Sequence, residues 1–159
     1  MKPEMKDTQT SEGRRRRAQD HYGLRLTRLR DRHFMEACSR LLNDPRRRFA
    51  SARELAAAAA SEPAPLFYIS FERALRVVRH YRSCRSLPEG RGQVRAKWVE
   101  IIDRTERLIE RYGISDTDAL VRVLENGAPS FFLHPSSALR LYHRLRHRRR
   151  RPTPSTDLT

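Results

Sequence analysis

The chain has 159 residues, with 34 Lys and Arg against 19 Asp and Glu, a formal charge of +15. That length allows one compact domain or two small modules. That balance points to a polyanionic partner (nucleic acid, an anionic surface or an acidic protein) and says nothing about fold.

No apolar run approaches the ~20 residues of a membrane span. The opening stretch MKPEMKDTQTSEGRRRR lacks the apolar core of a secretory signal. Cys38 and Cys84 are too isolated to make a disulfide framework or a metal set. The expected setting is cytoplasmic, with no integral membrane association. Lys2, Lys6 and Lys97 are the only lysines, so arginine carries nearly all the positive charge. Its planar fork meets phosphate oxygens two at a time.

In chain order, residues 1–17 have the composition of a disordered basic arm. Leu26, Leu29, Phe34, Cys38, Leu41 and Leu42 then recur at helical spacing. Cys38 is expected there as a small core residue. The pattern stops at Asp44-Pro45, where a helix ends or kinks. Ser51 with Glu54 three residues on marks the start of a second helix, and LAAAAA continues it with high propensity and small side chains. Proline ends it, and the segment EPAPLFYIS follows, with Phe67 expected to plug the core between the second and third helices. A third helix after Ser70 is expected to bury Ala74, Leu75, Val78 and Tyr81.

The turn-rich SLPEGRGQ leads into a second series. Val94, Trp98, Ile101, Ile102, Thr105, Leu108, Ile109 and Tyr112 form one broad apolar face, and Gly113 stops the helix. Ser115 and Asp118 repeat the cap, ALVRVL fills the next helix, and NGAPSFFLH repeats the connecting segment. Pro135 suits the first turn of a last helix, which is expected to bury Ala138, Leu139, Tyr142 and Leu145.

The two series are one pattern written twice. At a fixed offset of 64, residues 34–82 align with 98–146 without a gap. The identical pairs include Glu36/Glu100, Arg40/Arg104, Ser51/Ser115, Ala64/Ala128, Phe67/Phe131, Ala74/Ala138 and Arg76/Arg140. An internal duplication is the direct explanation. The expected fold is all-α: two tandem three-helix repeats packed with pseudo-twofold symmetry, between disordered basic termini. The expected boundaries are an arm at 1–17, repeats at 18–86 and 94–147, a linker at 87–93 and an Arg/Pro/Ser/Thr tail at 148–159. The β-favouring LFYIS and SFFLH are candidates to pair as two short extended segments across the axis.

The Pro-Ala-Pro-Leu-Phe-Tyr-Ile-Ser segment at 63–70 and its second copy resemble a feature of small basic tandem-repeat proteins of Bacteroidota. In those proteins a Pro-Ala-Pro-basic-Phe-Tyr-Val-Ser segment occurs twice, each time leading into a helix. The resemblance spans residues 30–146 and implies the duplicated helical fold; with no function assigned to that family, it implies no activity. Leu66 and Ser130 stand where the family has a basic residue, so a binding role for that residue does not carry over.

No His-Glu-x-x-His, phosphate loop or Gly-x-Ser-x-Gly elbow is present. His21, His33, His80, His134, His143 and His147 lack metal-ligand spacing with either cysteine. The run EIIDRTERLIERY reads as a solvated, salt-bridged face. The expectation is a non-enzyme without cofactor or metal.

Arginines are uncompensated on the third helices, where no acid occurs from Arg73 to Pro88 or from Asn126 to Thr156. The candidate binding residues are therefore Arg73, Arg76, Arg79, His80 and Arg82 in the first copy. In the second they are Arg140, His143, Arg144, Arg146, Arg148 and Arg149. The favoured partner is duplex DNA, held through phosphates. Structured RNA or a ribonucleoprotein recognised by shape, and an acidic protein docked by an adaptor, are the alternatives. The segment before the third helix exceeds a helix-turn-helix turn, which speaks against base-specific readout.

Overall fold

In a computed structural model, residues 9–150 are described, with side chains from Gly23 onward. Expectations for residues 1–8 and 151–159 lie outside the described residues. Six helices follow in order: α1 Gln9–Asn43, α2 Ala52–Ser61, α3 Phe71–Cys84, α4 Gly92–Tyr112, α5 Asp116–Glu125 and α6 Pro135–Arg150. The fold is all-α. Residues 9–17, expected to belong to the arm, are the first turns of α1, and residues 148–150, expected in the tail, are the last turn of α6. Arginine, glutamine and glutamate have good helix propensity, and each run lengthens a helix at the end away from its packed part.

Local chemistry sets the helix boundaries. Pro45 closes α1, and the Asp44 carboxylate accepts from the Arg46 amide at 2.9 Å to shape the turn. The Ser51 hydroxyl accepts from the Glu54 amide, while the Glu54 carboxylate accepts from the Ala50 amide at 2.8 Å. Ser115 caps α5 through the Asp118 amide and Ser70 caps α3 through the Arg73 amide. Gly113, at φ +61°, ends α4 by donating to the Ile109 carbonyl at 2.8 Å.

Burial recurs with the 64-residue offset. Phe34, Ala37, Cys38 and Leu41 of α1 are buried, and so are Trp98, Ile101, Ile102 and Thr105 of α4. Ala64 and Ala128, Phe67 and Phe131, Ala74 and Ala138, and Val78 and Tyr142 are likewise buried in pairs. Leu75, Tyr81, Leu139 and Leu145 are only half-buried, packed against this core. Leu42, Val94 and Tyr112, expected on the apolar faces, are about half exposed because they sit at helix ends beyond the neighbouring helices.

Helix packing crosses between the two copies. α1 packs on α2 and α4 on α5, but α3 packs on α5 and α6 on α2. Each third helix thus covers the second helix of the other copy. Phe67 is buried in the core, where its ring stacks on Phe132 of the other copy, centroids 6.1 Å apart, as Tyr68 stacks on Phe131 at 6.1 Å. Phe131 also meets Phe34 edge to face at 5.8 Å. The crossing is fixed where the Ala64 amide donates to the Ala128 carbonyl at 2.9 Å and the Ala128 amide donates to the Ala64 carbonyl at 2.8 Å. The extended pairing expected of LFYIS and SFFLH is limited to this one antiparallel bridge just before them. Tyr68 and Phe132 adopt φ of +56° and +51°, which turns both segments out of the extended conformation.

Gly127 allows the close approach. At φ +76°, a Cβ there would lie 2.9 Å from the Ala64 carbonyl oxygen and 3.1 Å from that of Pro65. Gly113 is also left-handed, but a Cβ would meet nothing within 4 Å. Gly113→Ala is expected to cost about 1–2 kcal/mol, the left-handed penalty alone. Gly127→Ala adds an overpacking cost of about 1–3 kcal/mol. Urea unfolding of both variants checks this; equal losses would refute the assignment of Gly127 to the crossing.

Candidate nucleic-acid interface

On α6, Arg140, His143, Arg144, His147 and Arg148 follow the spacing that keeps side chains on one face of a helix. All five are exposed, while Ala138, Leu141 and Tyr142 are buried on the other side. α6 contains no acidic residue, and its last turn is His147 and three arginines. Cations there also suit the negative end of the helix dipole. Arg146, off the stripe, lies over the Tyr142 ring with its guanidinium carbon 6.0 Å from the centroid. Arg149 is exposed nearby.

The α3 candidates are exposed as well but more engaged. Arg79 donates to the Asp116 carboxylate at 3.1 Å, from the start of α5. That hydrogen bond holds the Asp116 carboxyl below the usual carboxylate range; the slight burial of the group opposes it. Arg144 approaches Asp31 of α1 at 3.7 Å. Arg79 and Arg144 are therefore compensated, by acids that chain distance hides. His80 faces Cys84, with Nε2 and Sγ 3.3 Å apart. Arg73 lies over the Trp98 ring at 5.8 Å. Among the described residues, Arg76, Arg82, Arg140, Arg146, Arg148 and Arg149 have no ion-pair partner. The candidates occupy two helices that pack on α5 and α2 rather than on each other.

Two basic features lie outside the candidate residues. A hollow of about 290 Å³ between α4 and α5 is lined by Arg104, Arg107, Arg111 and Tyr112. There the Arg111 and Arg122 guanidiniums lie 5.3 and 6.0 Å from the centroid of the exposed Tyr112 ring. Asp103 pairs with Arg107 and Glu100 with Arg104, so this face is largely neutralised, as its alternating sequence implies.

The second feature surrounds Lys97. This half-buried lysine has its pKa pushed below the ordinary range, first by burial and then by the charges of Arg73 and Arg30. His33 stands at the corresponding place in the first copy, its Nδ1 2.8 Å from the Tyr68 hydroxyl. Burial pushes the Tyr68 phenol up, against the opposing charge of Arg30. Burial also raises the Cys38 thiol to about 11, so Cys38 is an inert core group.

Among the described residues, no cluster of His, Cys, Asp and Glu could hold a metal ion, and no helix is long and apolar enough to cross a membrane. Comparison with protein-family models, curated proteins and solved structures finds no match.

Lys97 yields a signed prediction. A lysine whose folded pKa is lowered is harder to protonate in the folded than in the unfolded chain, so its charge costs stability, in full below the lowered value. That penalty eases as pH rises from the lowered value towards the usual lysine range. Lys97→Met should melt higher than the parent at neutral pH, and the gap should narrow in alkali. A lower melting point for Lys97→Met would refute the reading.

Proposed function

We propose that the chain is a non-catalytic nucleic-acid-binding protein that holds duplex DNA through the arginines of α6 and α3. Its body is two three-helix repeats related by a pseudo-twofold axis. For the axis, the support is that contacts recur with the copies exchanged: Phe67 on Phe132 answers Tyr68 on Phe131, and α3 on α5 answers α6 on α2. The axis then passes between Ala64 and Ala128, the equivalent residues that bond to each other.

One observation carries the functional reading: the exposed stripe of Arg140, His143, Arg144, His147 and Arg148 runs along a helix without acids and, among the described residues, pairs only with Asp31. A helix of 16 residues is ~24 Å long. It can lie along or within the major groove of B-form DNA, whereas the deep, narrow major groove of A-form RNA does not admit it. Nine residues separate α2 from α3, from Glu62 to Ser70, so the helices do not form a helix-turn-helix. Phosphate contacts, not base edges, carry the binding.

Fluorescence anisotropy against DNA and RNA duplexes of one sequence, over a salt series, tests this. Each phosphate contact contributes about 0.9 to the slope of log affinity against log salt on duplex DNA. Replacing Arg140 and Arg148 together by Ala should lower that slope by about 1.8, with stability changed by about 0.5 kcal/mol or less. An unchanged slope refutes the α6 surface. Preference for the RNA duplex, or binding only to an acidic protein, refutes the DNA assignment.

A further inference from the structure

The hollow of about 290 Å³ between α4 and α5 has an apolar part made by Leu108, the buried Val123 and the ring of Tyr112. Tyr112 is 53% exposed, and Arg107, Arg111 and Asn126 on the lining are exposed too, so the hollow is open to solvent. No acidic residue lines it. Arg104 and Arg107 are engaged by Glu100 and Asp103. Arg111 and Arg122 are not. Among the described residues neither has an ion-pair partner, and both guanidiniums lie against the Tyr112 ring.

The first copy provides an internal control. With 64 subtracted, Arg111 becomes Arg47, Tyr112 becomes Arg48, Arg122 becomes Ala58 and Asn126 becomes Glu62. There Arg47 donates to the Glu62 carboxylate at 2.9 Å, and the shared arginine is neutralised in place. In the second copy the neutral Asn126 replaces that carboxylate and donates its amide nitrogen to the Arg122 carbonyl at 2.8 Å. Its amide oxygen remains able to accept a further hydrogen bond. One position thus carries a closed ion pair in one copy and an unpaired cation beside an open aromatic ring in the other. Core packing does not explain the difference, since Arg47, Arg48, Arg111 and Tyr112 are all exposed.

An open aromatic ring flanked by planar cations is complementary to a flat ring that carries a negative charge beside it. Bases stack on tyrosine rings and on guanidinium planes alike, and guanidinium forks reach the adjoining phosphate. A hollow of about 290 Å³ sits at the lower edge of pockets that enclose a whole ligand. It suits one base of a strand whose phosphates are held by charge around it. A base inside a duplex is already stacked and paired, and taking it out costs energy.

We propose that this hollow receives an unpaired base of a single-stranded nucleic acid. Tyr112 with Arg111 and Arg122 stacks the base, the Asn126 amide oxygen accepts from its edge, and the two arginines meet the neighbouring phosphates. The class of partner rests on the nucleic-acid reading above, but the hollow uses α4 and α5 and no residue of α6 or α3.

The test uses the full chain and fluorescence anisotropy with two labelled strands of equal length and charge, an oligothymidine and its abasic counterpart. The parent should bind the oligothymidine about tenfold more tightly, the effect of about one stacked base. Tyr112→Ala should erase that ratio and Tyr112→Phe should keep it, both melting near the parent because the ring is exposed. Asn126→Glu, which brings the acid of the first copy beside Arg111, should shrink the ratio towards unity without lowering the melting temperature. Equal affinity of the parent for the two strands, or a ratio that survives Tyr112→Ala, overturns the site. Tyr112-dependent binding of an acidic, phenylalanine-containing peptide with no preference between the strands overturns the nucleic-acid assignment. Replacing Arg140 and Arg148 by Ala should leave the ratio unchanged. Duplex affinity reads the α6 surface and the ratio reads the hollow, so the two fail separately.

Discussion

The pair of hydrogen bonds between Ala64 and Ala128 governs the architecture. Two chain segments must come within bonding distance there, which requires small side chains at both alanines and no Cβ at residue 127. Once they meet, the residues that follow cannot return over their own helices. The chain passes through the stacked Phe67, Tyr68, Phe131 and Phe132 and delivers each third helix to the opposite second helix. One core results, shared by both halves. Neither half has its full complement of packing partners without the other, which suits lengths at which a separate core would be marginal.

The two halves of that core are complementary rather than identical. α2 presents Ala56, Ala59 and Ala60 beside Leu55, and it receives α6 with the larger Leu141 and Tyr142. α5 presents Leu120 and Val123, and it receives α3 with the smaller Ala74 and Val78. Leu55-Ala56 in one copy answers Ala119-Leu120 in the other, so even the order of large and small reverses. Small against large on both sides fills the space between helices at native density. The two halves are therefore not interchangeable in their packing.

Helices, caps and burial were legible in the sequence because local rules set them: Ser51, Ser70 and Ser115 cap where a hydroxyl precedes a helical pattern, and Pro45 and Gly113 stop helices by backbone geometry. The exchange of third helices was not legible, since Phe67 is equally apolar whether it meets its own helices or Phe132. The candidate arginines were found by the absence of acids nearby in the chain. That signal is blind to Asp116 and Asp31, which reach Arg79 and Arg144 from other helices. Lys97 was passed over for the opposite reason: one lysine among many arginines carries no pattern, and only the fold brings Arg73 and Arg30 to it.

Charge in this protein therefore stands in two physical regimes. The α6 arginines keep their water, cost little in the folded state and act at a range that salt shortens to about a Debye length, ~8 Å at physiological ionic strength. They suit attraction to any dense array of phosphates. Lys97 stands partly out of water, where salt screens less and an unbalanced charge costs more. A charge held at such cost acts on a group brought into contact with it, not on a distant field. The two regimes fall on different helices, the exposed arginines on α6 and the half-buried lysine on α4.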